Sequence, residues 1–101
     1  MKISFDYDKT LECYRWKNLA IALHYVGHEI WIHTHRNKYL DTGISYDIWD
    51  TAKDCMIPEE RIVFCDKAKY LYLESFDVHF NDNAEEVNEI NHYTNCKAIL
   101  I

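Results

Sequence analysis

Apolar stretches with a period of two residues alternate with stretches of helical period along the whole chain, separated by short polar breaks. This alternation constrains the fold more than any single residue. Strand, helix and strand in succession close most readily as a right-handed crossover onto a parallel sheet. KISFDYD (residues 2–8) reads as the first strand, HEIWIHT (28–34) as the second, RIVFC (61–65) as the third, DVHFND (77–82) as the fourth and KAILI (97–101) as the fifth. Between them, ECYRWKNLAIALHYVG carries Trp16, Leu19, Ala20, Leu23 and Val26 at helical spacing and stops at Gly27. SYDIWDTAKDCM offers Ser45 as an N-cap, a stripe of Ile48, Trp49, Ala52 and Met56, and Pro58 as its stop. DKAKYLYLE predicts a short helix from Asp66, and NAEEVNEINHY a helix headed by Asn83. The expected fold is α/β: a three-layer, Rossmann-like domain with a five-stranded, mostly parallel sheet and helices on both faces.

The 101 residues, 49% of them hydrophobic, suffice for one core and are too few for two, so a single domain over 1–101 is expected. Eleven Lys and Arg against 17 Asp and Glu give a net charge of −6, which argues against coating nucleic acid or an anionic membrane. No stretch approaches the roughly 18–20 apolar residues of a membrane span, and a strand begins almost at Met1, so a cytoplasmic protein without a signal peptide is expected. Cys13, Cys55, Cys65 and Cys96 lack the close pairing of a zinc site and are read as free thiols. His33 and His35 have no third ligand near them in sequence and are read as packing or loop residues.

In sheets of this class ligands bind beyond the carboxyl ends of the strands, where strand order reverses. The first strand ends in Asp6 and Asp8, the second in Thr34 followed by His35 and Arg36, and the fourth in Asn81 and Asp82, with Lys67 just after the third. On an extended chain Asp6 and Asp8 project the same way. Asp6, Asp8 and Asp82 would repel one another unless a cation joined them, and an all-oxygen site suits Mg²⁺. Because Mg²⁺ usually shares its shell with water and phosphate, Asp6, Asp8, Thr34 and Lys67 become candidates for chemistry at a phosphoryl group.

These residues carry a family resemblance. FDYDKT resembles the first motif of the haloacid dehalogenase (HAD) superfamily, DxDx[TV] after an apolar strand; IWIHT resembles the second, DKAKYL the third and DVHFNDN the fourth, in order over nearly the whole chain. The resemblance implies a phosphatase in which Asp6 attacks phosphorus, forming an aspartyl-phosphate, and Asp8 protonates the leaving alcohol and later accepts a proton from water. It further implies that Thr34 hydrogen-bonds the phosphoryl group and that Lys67, or else Lys69, holds phosphate and nucleophile together. Asp6, Asp82 and the main-chain carbonyl of Asp8 would bind Mg²⁺, Thr10 would brace the loop carrying Asp8, and Arg36 is a candidate substrate contact.

The chain departs from the family pattern in two ways. Asn81 stands where many relatives carry Asp, which would neutralise a partner of the lysine, so restoring the carboxylate is expected to raise turnover. The connections are helix-sized, so no cap domain is expected and the site should be open. The implied activity is a Mg²⁺-dependent phosphomonoesterase acting on a phosphorylated small molecule or nucleotide, with a nucleic-acid end as another candidate. The alternative is a catalytically weak, HAD-like phosphate-binding or regulatory module. A homo-oligomer could cover the open crevice through Trp49 and Tyr46, and no membrane partner is expected.

Overall fold

Lys2–Phe5 forms the central strand, β1, with β2 (Glu29–Thr34) and then β3 (Ile62–Phe64) on one side and β4 (Val78–Asn81) and then β5 (Lys97–Leu100) on the other. The structure, a computed structural model, describes residues 1–38 and 42–101 by their backbone and, outside 42–46, by their side chains. Every strand pairing is parallel, so the five-stranded sheet is wholly parallel. Phe5 lies in register with Ile32 and with Phe80. The carboxyl ends of β1 and β4 therefore stand side by side at the point where strand order reverses.

Helices α1 (Tyr14–Tyr25), α2 (Thr42–Asp54) and α3 (Ala84–Tyr93) supply the crossovers, with short 3₁₀ turns at Glu59–Arg61 and Lys69–Tyr72. Gly27, at φ 102°, ends α1 in a conformation that a side chain would strain. Two helical expectations are corrected. Ser45 lies inside α2 rather than at its N-cap. The segment from Asp66 stays non-helical through Ala68 (φ −54°, ψ 135°) and then makes only the 3₁₀ turn. Residues 39–41 lie outside the described residues, as does the side chain of Tyr46.

The period-two pattern of the strands puts different chemistry on the two faces. Ile3, Phe5, Ile30 and Ile32 point to one side and pack with Ala20 of α1 and Ile48 and Ala52 of α2. Trp49 is half-buried against this core, its ring 5.9 Å from Phe64, and so is not the exposed aromatic expected to cover the site. On the other side Leu73, Phe76, Val87, Ile90 and Ala98 form a second core beneath α3. Among the described residues no helix is long and apolar enough to cross a membrane.

The second face also buries Ser4, His33, His79 and Asn81. Burial without partners would be costly, and these groups satisfy one another. The main-chain N–H of Asn83 donates to Asn81 Oδ1 (3.0 Å), which orients the amide so that Nδ2 donates to His79 Nε2 (3.2 Å). His79 then carries its proton on Nδ1 and donates to Ser4 Oγ (2.9 Å), and the Ser4 hydroxyl donates to His33 Nδ1 (2.7 Å). Both rings are neutral in this chain, and each hydrogen bond fixes the direction of the next.

Neutral buried histidines make stability depend on pH. Burial, with Lys69 and Lys2 adding to it, pulls His33 from its ordinary value down to about 3, and burial and Lys69 also lower His79. The unfolded chain takes up these protons near pH 6.5, whereas the folded chain resists them. Stability is therefore complete above about 6.5 and falls on acidification toward about 3, at a limiting slope of roughly 1.4 kcal/mol per pH unit for each histidine. His33→Gln can still accept from Ser4 but does not titrate. Urea unfolding of wild type at about pH 7 and about pH 5 should show a loss of stability that is shallower in this variant; equal losses would contradict the assignment.

Candidate functional site

Asp6 follows directly after β1, with its N–H still donating to Phe80 O (2.9 Å). The strand ends at Phe5 rather than at Asp8, and the chain turns at once through Tyr7–Leu11. Leu11 N–H donates to Asp6 O and Glu12 N–H to Tyr7 O, each at 3.1 Å, and Lys9 enters the left-handed region at φ 57°. This turn, rather than strand alternation, aims Asp6 and Asp8 into the same cavity of about 280 Å³, while Tyr7 is buried in the first core.

The third motif contributes through Lys69. Its ammonium donates to Asp6 Oδ1 at 2.6 Å and lies 3.6 Å from Glu86 Oε1, with only 2% of its side chain exposed. Lys67 is exposed and does not line the cavity, which corrects the expectation that it holds the nucleophile. Asp6 is itself buried, and burial pushes its carboxyl up to about 6, against the lowering effect of Lys69; Glu86 and a side-chain hydrogen bond with Asp82 push in the same upward direction. At neutral pH the group is ionised and paired.

The other expected residues are distributed unevenly. Asp82 lines the cavity beside Asp6. Thr34 is fully buried, its Oγ1 accepting from Arg36 N–H at 3.2 Å, and does not line the cavity. Thr10 is buried too, but its hydroxyl has no hydrogen-bond partner, so the turn is braced by main-chain bonds, among them Cys13 N–H to Thr10 O at 3.0 Å. Arg36 grips Asp8 with Nη2 at 2.6 Å and Nε at 3.1 and 3.2 Å, reaches Asp47 with Nη1 at 2.9 Å, and lies 4.8 Å from the Tyr7 ring centre. Burial opposes the guanidinium charge, but its hydrogen bonds to Asp8 and Asp47 outweigh that and raise its pKa.

Two residues not singled out in the sequence for this site complete it. Glu86 opens α3 in a capping arrangement, its N–H donating to Asn83 Oδ1 at 3.1 Å, and its carboxylate then faces Lys69, His35 and the Asn81 amide. The spacing from Asn83 to Glu86 is the legible signal, because an Asn followed three residues later by Glu places that Glu in the first helical turn. His35 directs Nε2 to Glu86 Oε2 (3.1 Å) and Nδ1 to the Cys65 carbonyl (3.3 Å).

Asp6 and Asp82, which line the same cavity with Asp6 desolvated, have the oxygen chemistry that a hard divalent cation such as Mg²⁺ takes. Among the described residues no group of three or more His, Cys, Asp and Glu side chains is placed to hold a metal. The Asp8 side chain is committed to Arg36, so any contribution from Asp8 to a cation is through its main-chain carbonyl. No family model, curated protein or solved structure matches this chain.

Two predictions follow from the lysine and from Asn81. Lys69→Ala leaves Asp6 and Glu86 without their cation and should cost about 3 kcal/mol of stability, while Lys67→Ala should be neutral within about 0.5 kcal/mol; chemical denaturation measures both, and the reverse ranking would reject the pairing. Asn81→Asp would set a carboxylate oxygen against the His79 lone pair and bring a second negative charge to Glu86. Its stability should fall by about 1–3 kcal/mol and turnover should not rise, because Asn81 addresses His79 and Glu86 rather than the lysine. A gain in turnover would restore the expectation drawn from the sequence.

Proposed function

We propose that the chain is a phosphomonoesterase of the haloacid dehalogenase type, dependent on Mg²⁺, with Asp6 as nucleophile. The observation that carries this reading is the buried 2.6 Å contact of Lys69 with Asp6 at the strand-order switch, with Asp8 and Asp82 lining the same cavity. Lys69 holds the Asp6 carboxylate in one orientation and offers positive charge to a phosphoryl oxygen. An Asp6 oxygen forms a bond to phosphorus as the ester P–O bond breaks, and the departing oxygen takes its proton from Asp8. Water then attacks the aspartyl-phosphate, its proton goes to Asp8, and the Asp6 carboxylate and inorganic phosphate are released. Asp6, Asp82 and the Asp8 carbonyl would hold Mg²⁺, which would supply charge neutralisation at the phosphoryl group. Four free cysteines fit a reducing, cytoplasmic setting.

The grip of Arg36 on Asp8 favours the second reading, a catalytically weak phosphate-binding module, because a side chain held by Arg36 is turned away from a leaving oxygen until that contact breaks. Turnover decides between them. Purified protein should hydrolyse para-nitrophenyl phosphate with Mg²⁺, lose that activity with EDTA, and lose nearly all of it in Asp6→Asn, whose amide keeps the volume and cannot attack. Phosphate binding with no hydrolysis by wild type would select the binding module. Wild-type turnover in Asp6→Asn would reject the mechanism.

A further inference from the structure

A second cleft, of about 490 Å³, adjoins the carboxylate cavity and shares His35 with it; Arg36, Lys38, Phe64, Asp66 and Tyr72 also line it. We propose that this cleft binds the nucleoside portion of a nucleoside monophosphate whose phosphoryl group sits at Asp6. The inference rests on the phosphatase reading and specifies its substrate class.

Position is the first argument. His35 lines both the carboxylate cavity and the cleft, and Arg36, which holds Asp8, forms part of the cleft wall, so a substituent on a phosphoryl group at Asp6 has the cleft beside it. Size is the second: the volume falls within the about 300–1,000 Å³ typical of small-molecule sites and greatly exceeds what a short alcohol fills.

Lining chemistry is the third. Phe64 and Tyr72 line the cleft with aromatic residues, the side chains on which nucleobases stack. The Tyr72 hydroxyl donates to Asp66, which lines the same cleft and offers a carboxylate acceptor to base or ribose donors. A sugar without a base would leave the aromatic surface uncovered.

The test uses adenosine, which lacks the phosphate and so reports on the cleft independently of chemistry. Calorimetric titration of wild type, Tyr72→Ala and Tyr72→Phe should show adenosine binding, about tenfold weaker binding in the alanine variant and near-wild-type binding in the phenylalanine variant. Amide resonances of residues 35–38 should shift on titration of wild type, a readout that does not require either variant to fold. No binding at millimolar adenosine, binding indifferent to the Tyr72 ring, or ribose binding as well as adenosine would each overturn the assignment. Hydrolysis of para-nitrophenyl phosphate is read on the same samples. Ring-dependent adenosine binding without hydrolysis supports the cleft and sinks the phosphatase reading; hydrolysis without adenosine binding does the reverse.

Discussion

The contact between Lys69 and Asp6 is the constraint around which the carboxyl end of the sheet is organised. An ammonium and a carboxylate removed from water lose several kcal/mol of solvation each, and only close geometry with further partners offsets that loss. Here the ion pair is 2.6 Å long, and Glu86 stands 3.6 Å from the same ammonium. Breaking the pair leaves an isolated charge at the least hydrated point of the site. The turn after β1, the short 3₁₀ turn that carries Lys69, and the cap of α3 that places Glu86 are therefore coupled through one nitrogen.

The polar face of the sheet extends this organisation into the core. Glu86 accepts from the Asn81 amide at 3.4 Å, and from Asn81 the hydrogen bonds run through His79 and Ser4 to His33. In that chain an amide at position 81 has a specific job: Asn81 accepts from Asn83 and donates to His79, which a carboxylate cannot do. An amide at position 81 is thus what the neighbours of this residue require. The opposite face needs no such matching, because Ile3, Phe5, Ile30 and Ile32 meet only apolar partners there.

Much of the fold was legible because the period-two segments are short, apolar and separated by helical ones, and burial on both faces of β1, β2 and β4 follows that period. Asp6, Asp8 and Asp82 do line one cavity, but the strand period accounts for that only in part, because the turn after Phe5 rather than strand alternation brings Asp8 there. Of the two lysines the sequence offered, Lys67 was preferred over Lys69 through a misplaced helix boundary. A helix beginning at Asp66 would put Lys67 in its first turn, but the extended conformation of Ala68 delays the turn, and Lys69 arrives at Asp6 instead. Thr34 was placed correctly on its strand, yet its hydroxyl is taken by Arg36 N–H. The His35–Glu86 contact joins residues 51 positions apart, and no local pattern announces a pairing over that distance.

The account stands on Asp6 as a nucleophile rather than as a charge that merely anchors Lys69. Wild-type protein turning over para-nitrophenyl phosphate with Mg²⁺ can be quenched in acid, reduced with borohydride and digested for peptide mass spectrometry. An aspartyl-phosphate is reduced to homoserine, whereas an unmodified carboxylate survives. The account predicts homoserine at position 6 only when substrate is present; an intact Asp6 in enzyme quenched during turnover, or homoserine at Asp8 instead, would contradict it.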